Sequence, residues 1–191
     1  MKSPDHSVSI IGLGNVFLGD DGFGPLGVEI FRCRYECSSN VEVLDLGTPG
    51  LDLAPYLYGR ELVVIIDAVH TNAPGTVSMF CEDDFVSNRA KLRITGHDPG
   101  LWETLTHLRL AESAPSELIV IGVNPEACRF GVGVSDGMLS LASEAAETIA
   151  QLLVRRGVAC IRRQAPEVLN LWWLPLTVVE EANSAKASAD A

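Results

Sequence analysis

Runs of apolar residues with two different periods alternate along the chain. Val8 to Leu13 reads as a strand, and Asp20 to about Tyr35 as a helix whose first residues are acidic, which suits the positive end of a helix dipole. Val41 to Leu46 is strand-like, Gly47-Thr48-Pro49-Gly50 is a loop, and a short helix is predicted from about Leu51 to Tyr58. Leu62 to Val69 is an apolar run rich in β-branched residues, the pattern of a strand covered on both faces. After the turn at Ala73-Pro74-Gly75, Thr76 to Phe80 alternates as an antiparallel edge strand would. Gly96 to Gly100 is a loop, Leu101 to Ala111 has helical spacing, and Glu117 to Val123 is another buried strand. Ser135-Asp136 reads as the cap of a helix running to Gly157, with Leu139, Ala142, Ala146, Ile149, Leu152 and Leu153 on one face. Strands alternating with helices predict an α/β fold: one domain, three layers, a mostly parallel twisted sheet with one antiparallel edge strand and helices on both faces. The domain is expected to span 1–176. The acidic, alanine-rich stretch 177–191 is expected to be a flexible tail, frayed from Ala182 to Ala191.

Composition narrows the partners. With 191 residues, 47% of them apolar, the chain can bury a substantial core. A net charge of -11 argues against nucleic acid, where lysine and arginine must displace counterions, and against an anionic membrane surface. The longest apolar run contains Asp67 and is too short to span a bilayer. The N-terminus has no secretory pattern, so a cytoplasmic protein is expected. Five cysteines are scattered without a Cys-x-x-Cys pair. Cys33 and Cys37 lie one helical turn apart, a metal-like spacing, but no nearby histidine or second cysteine pair supports a site, and all five read as reduced thiols.

The candidate chemistry sits at strand ends. Val8 to Ile11 followed by Gly12-x-Gly14 imitates a dinucleotide fingerprint. Phe17 then stands where the third glycine belongs, and Asp20-Asp21 place negative charge where a pyrophosphate needs positive potential. Asp67 ends the Val63-Val64-Ile65-Ile66 run, where an acid is costly to bury unless it is paired, capping or bound to a cation. His97-Asp98 lies in the loop before a helix. In open α/β sheets ligands collect at the carboxyl edge of the strands, and two carboxylates with an imidazole there suit a borderline divalent metal such as nickel or zinc.

Gly12-x-Gly14-Asn15, Gly19-Asp20-Asp21-Gly22-x-Gly24, Asp45-x-Gly47-Thr48, Ile66-Asp67-Ala68, Thr95-x-His97 and Ile121-Gly122-Val123-Asn124-Pro125-Glu126 resemble, in this order, the motifs of the hydrogenase maturation proteases. The resemblance runs from about residue 8 to 156. It implies an endopeptidase that removes a C-terminal extension from the large-subunit precursor of a nickel-iron hydrogenase after nickel insertion. It assigns the acids that recognise nickel to Asp21 and Asp67 and the histidine to His97, all three counted as catalytic and metal-binding. The family often has glutamate where Asp21 stands. Asp45, Gly47 and Thr48 match a loop linked with substrate recognition. No Ser-His-Asp or Cys-His nucleophile matches, so the resemblance implies water activated near the ion, with Asp67 or Asp20 as proton acceptor. The ion is either held by the protease or brought by the client, and zinc or another divalent ion could fill the site. Rival readings are a Rossmann-type oxidoreductase, a non-cutting module or chaperone that senses metal-loaded clients, and a germination-type aspartate-based protease. Trp172-Trp173-Leu174-Pro175 is either a packed C-terminal strap or a partner contact.

Overall fold

Five strands form a central sheet in the order β3-β1-β4-β7-β5, where β1 is Val8–Leu13, β3 is Val41–Gly47, β4 is Leu62–His70, β5 is Val77–Cys81 and β7 is Glu117–Val123. The computed structural model describes residues 6–70, 75–84, 93–94, 98–169, 171–175 and 179–180, with the backbone alone at 93–94 and 98–99. The β1/β3, β1/β4 and β4/β7 pairs are parallel, and β5 closes one edge antiparallel to β7. The β6 segment Arg93–Ile94 pairs antiparallel with Val69 and His70, at the carboxyl end of β4. Among the described residues, no helix is long and apolar enough to cross a membrane.

Each face of the sheet is covered. Val64 and Ile66 of β4 point into one core with α1 (Phe23–Arg34) and the last long helix, which contributes Ala142, Ala146, Ile149 and Leu153. Val63 and Ile65 point into a second core with α2 (Ala54–Leu57) and α3 (Asp98–Leu110), through Leu53, Leu57, Leu101 and Leu105. This is why β4 is a continuous apolar run rather than an alternating one. The α1 helix lies unusually close to the sheet. A Cβ on Gly24 would fall 2.0 Å from the Leu13 carbonyl oxygen and 2.4 Å from that of Ile66, and one on Gly12 would fall 2.6 Å from the Gly24 carbonyl. Gly24 therefore does the close-packing work that the dinucleotide pattern gives to position 17, and Phe17 is turned out to the surface.

Several expected boundaries move. The acids at 20 and 21 do not open α1. They form a separate 3-10 turn, Gly19–Gly22, and α1 begins at Phe23. The helix expected from Ser135 begins at Met138 (α4, Met138–Arg155), with Gly137 in the left-handed region (φ 83°) and no side-chain cap. Ser135 is drawn away by Asp20. A small antiparallel ribbon absent from the periodicity, β2 (Tyr35–Cys37) with β8 (Cys160–Arg162), joins the exits of α1 and α4. Most of the expected tail lies outside the described residues.

Candidate active site

The turn after β1 is shaped by glycine. Gly14 has φ 142°, and a Cβ there would sit 1.8 Å from the Asp21 carbonyl oxygen, so only glycine lets the chain double back at this point. The returning chain donates the Asn15 N–H to Asp21 Oδ2 at 2.8 Å and buries both acids of the 3-10 turn, Asp20 at 0% and Asp21 at 4% exposure.

The two acids do different work. Asp20 Oδ2 accepts the Glu126 N–H (2.8 Å), the Ala127 N–H (3.0 Å) and the Ser135 hydroxyl (2.7 Å), while Oδ1 accepts the Ser135 N–H (2.7 Å). Burial pushes this carboxyl up, but the bonds from Ser135, Ala127 and Glu126 outweigh it and hold the group below the usual carboxylate value. Further backbone bonds, Asp20 N–H to the Ala127 carbonyl and Gly19 N–H to that of Gly131, complete the seam. Asp20 is thus a buried clamp on the loop after β7. A carboxylate accepting four donors is a poor proton acceptor, so Asp20 is removed as a candidate base.

Asp67 is fully buried in β4, opposite Gly122 of β7, and its Oδ1 accepts the Ala68 N–H at 2.7 Å. The strand runs on to His70, so Asp67 lies within it rather than after it. The 3-10 turn packs on β4, and the start of α1 touches Ile66, which brings Asp21 and Asp67 to the same edge of the sheet. The Cys128 thiol senses this concentration of charge. Loss of solvent first, and then the carboxylates of Asp21, Asp20 and Asp67, push it up to about 11, against an opposing backbone bond from Asp21. A cluster of three acids with this effect on a neighbouring thiol favours a cation and disfavours nucleotide phosphates. Among the described residues, no three His, Cys, Asp or Glu side chains have metal-holding geometry. His97, the expected third member, lies outside the described residues.

The predicted substrate loop ends β3. Asp45 is exposed, and its Oδ1 accepts the Gly47 N–H at 3.0 Å. Gly47 has φ 57°, and its carbonyl accepts the Gly14 N–H at 2.9 Å, so this loop is tied directly to the glycine turn. Thr48 is exposed beside it. The start of α3 packs against the continuation of this loop, since a Cβ on Gly100 would lie 3.0 Å from the Gly50 carbonyl carbon.

Three features escaped sequence reasoning. Ser135 and Cys128 carry no local signal of belonging to the acids more than a hundred residues earlier, though the Gly131-Val132-Gly133 spacing marks the loop. An apolar rim borders the site. Leu18 bridges Gly131 and the Phe17 carbonyl accepts the Gly131 N–H, which ties the backbone at Phe17 to the loop carrying Phe130 and Val132, and the Phe17 ring lies 5.9 Å from that of Trp172. Phe130 is 90% exposed and Trp172 74%. A cleft of about 370 Å³ opens next to this rim, walled by Asp20, Arg129, Val132 and Leu174. The tryptophan pair divides the two readings of the C-terminal segment. Trp173 is buried against Gly22 and Trp172 is left outside.

Residues 27–154 match the family described as hydrogenase maturation protease. The chain is 32% identical over 160 residues to hydrogenase 2 maturation protease of Escherichia coli K12, covering 83% of this chain and 97% of that one. It is 29% identical over 167 residues to hydrogenase expression/formation protein HupD of Bradyrhizobium diazoefficiens, covering 86% and 87%. Among solved structures, the hydrogenase maturating endopeptidase HybD of E. coli superposes with a TM-score of 0.74 at 30% identity, over 82% of this chain and 97% of that one. The NiFe-hydrogenase maturation protease HybD of Thermococcus kodakarensis superposes with a TM-score of 0.62, also at 30% identity, over 76% and 97%.

Proposed function

Because this chain belongs to the hydrogenase maturation protease family and is an endopeptidase of that type, we propose that it removes the C-terminal extension of a nickel-iron hydrogenase large-subunit precursor. The cut follows nickel insertion, and the ion, carried by the client as part of the substrate, is recognised by Asp21, Asp67 and His97. The observation that carries this reading is the convergence of two buried carboxylates, Asp21 and Asp67, at the carboxyl edge of the sheet, with the third acid, Asp20, already engaged by four donors. The described segments on either side of His97 support its inclusion. Arg93–Ile94 pairs with the end of β4, and α3 starts at Asp98.

A client-borne ion would polarise the scissile carbonyl and acidify water. The chain's own part is positional. Asp21 is oriented by the Asn15 N–H and Asp67 by the Ala68 N–H, so neither carboxylate must reorganise when the client arrives. Asp67, held near the carboxyl end of the central strand β4, is the proton acceptor for the attacking water. Asp45, Gly47 and Thr48 flank the tail of the client, with Gly47 free of a side chain where backbone meets backbone. The rim of Phe17, Phe130, Val132 and Trp172 gives the precursor an apolar seat beside the cleft.

Incubating the purified chain with nickel-loaded precursor should yield the shortened large subunit, and nickel-free precursor should stay intact. Asp67→Asn keeps an acceptor for the Ala68 N–H and so keeps the fold, but should lose cleavage. Wild-type cleavage by Asp67→Asn, or efficient cutting of nickel-free precursor by chelator-treated enzyme, would refute the reading.

A further inference from the structure

Away from the carboxylates, the β2/β8 ribbon brings two thiols together. Cys37 and Cys160 are register partners across the antiparallel pair, and the Cys37 thiol donates to the Cys160 sulfur at 3.0 Å. The ladder bonds run between Ser38 and Ala159 and between Arg163 and Arg34. Alternation along an antiparallel ladder therefore makes Cys37/Cys160 a non-hydrogen-bonded pair, the kind whose Cα atoms approach to about 4.5 Å. That separation lies within the range a disulfide spans, about 4.4–6.8 Å, so the bond can form without moving the backbone. Cys33, one turn earlier in sequence, is on the other side of the change from helix to strand at Tyr35 and is buried in the core.

We propose that Cys37 and Cys160 form a thiol-modification site, a dithiol that reacts with small-molecule disulfides and closes to an intramolecular Cys37–Cys160 disulfide. A cleft of about 400 Å³ reaches Cys160 between Tyr35, Glu147, Arg155 and Arg162, and its two guanidinium groups suit an anionic disulfide such as oxidised glutathione. The bond from Cys37 lowers the Cys160 thiol, which makes Cys160 the attacking group. In the first step the Cys160 thiolate attacks one sulfur of the small disulfide. That S–S bond breaks, and one thiolate leaves and takes a proton. In the second step Cys37 loses its proton and attacks the Cys160 sulfur of the mixed disulfide, and the second small thiolate leaves and is protonated. The protein loses two electrons and two protons, and the small disulfide is reduced to two thiols.

The bond would fasten the exit of α4 to the exit of α1, across 123 positions of sequence. The chain leaving β8 is held there by Arg163 N–H to the Arg34 carbonyl and Glu167 N–H to the Cys33 carbonyl, and it continues to Trp173 on the 3-10 turn of the carboxylate site. Oxidation therefore stiffens the root of that strap.

The test equilibrates the full chain with glutathione buffers of increasing oxidised fraction, then blocks free thiols and maps the peptides by mass. A linked Cys37–Cys160 peptide is expected, with a rise in Tm of about 5–10 °C for closing so long a loop and slower hydrogen exchange at Arg163 and Glu167. Cys37→Ser and Cys160→Ser should each abolish the Tm rise, while Cys33→Ser and Cys81→Ser should leave it. The map of the wild-type chain decides the matter even if a variant folds poorly. A disulfide joining other cysteines, disulfide-linked dimers only, or glutathione adducts at Cys160 that never resolve onto Cys37 would each overturn the proposal.

Discussion

Asp20→Asn separates the acid that builds the site from the acids that use it. The wild-type carboxylate meets four donors at 2.7–3.0 Å from Glu126, Ala127 and Ser135. An asparagine keeps a single acceptor oxygen. Placed at the Oδ2 position it still serves three donors, but its NH2 group then faces the Ser135 N–H, donor against donor. One bond to a charged acceptor is lost, about 1.5–3 kcal/mol, and the other three weaken as the charge disappears, for a total of about 3–5 kcal/mol. For a chain of this length that lowers Tm by roughly 10 °C. Urea unfolding followed by far-UV circular dichroism measures the loss, and hydrogen exchange should localise it to the amides of Glu126, Ala127 and Ser135. The pH dependence gives a second reading. The folded carboxyl lies below its ordinary value of 3.8, so its contribution is fully present above that pH and is lost as pH falls through the lower folded value. The wild type should thus lose its advantage over the variant in acid. A variant within about 0.5 kcal/mol of wild type at neutral pH, or unchanged exchange at those three amides, would refute the clamp.

Gly24→Ala should prevent folding or cost more than about 4 kcal/mol, because the added methyl meets two backbone carbonyl oxygens that cannot step aside; soluble yield and the thermal melt report it. Trp173→Ala should cost about 3–5 kcal/mol through the cavity left against Gly22, read from the urea midpoint. Trp172→Ala and Phe130→Asp should leave the stability within about 0.5 kcal/mol of wild type but raise KM for the precursor several-fold. An unchanged KM in both would remove the rim from the docking surface.

The layers, the mostly parallel sheet and the antiparallel edge were legible because the alternation of strand and helix periods along the chain implies them; the order of the strands was not. The β4 run from Leu62 is apolar at every position to Ile66, and only a strand covered on both faces asks for that. Asp67 stood out for the same reason, as a charge in a stretch where burial was certain. The acid pair at 20 and 21 was visible as an anomaly for a phosphate site. Its division of labour was not, because Asp20 is satisfied by Glu126, Ala127 and Ser135, more than a hundred residues away, and nothing near position 20 encodes their approach. The same distance hid the capture of Ser135 from the cap of α4, the buried and exposed fates of Trp173 and Trp172, and the pairing of Cys37 with Cys160. Sequence by itself determined what each segment can form and which charges would be awkward to bury. Only the tertiary structure decided which partner relieves each charge, because a hydrogen bond or a thiol contact depends on positions in space that the packing of α1 and α4 on the sheet brings together.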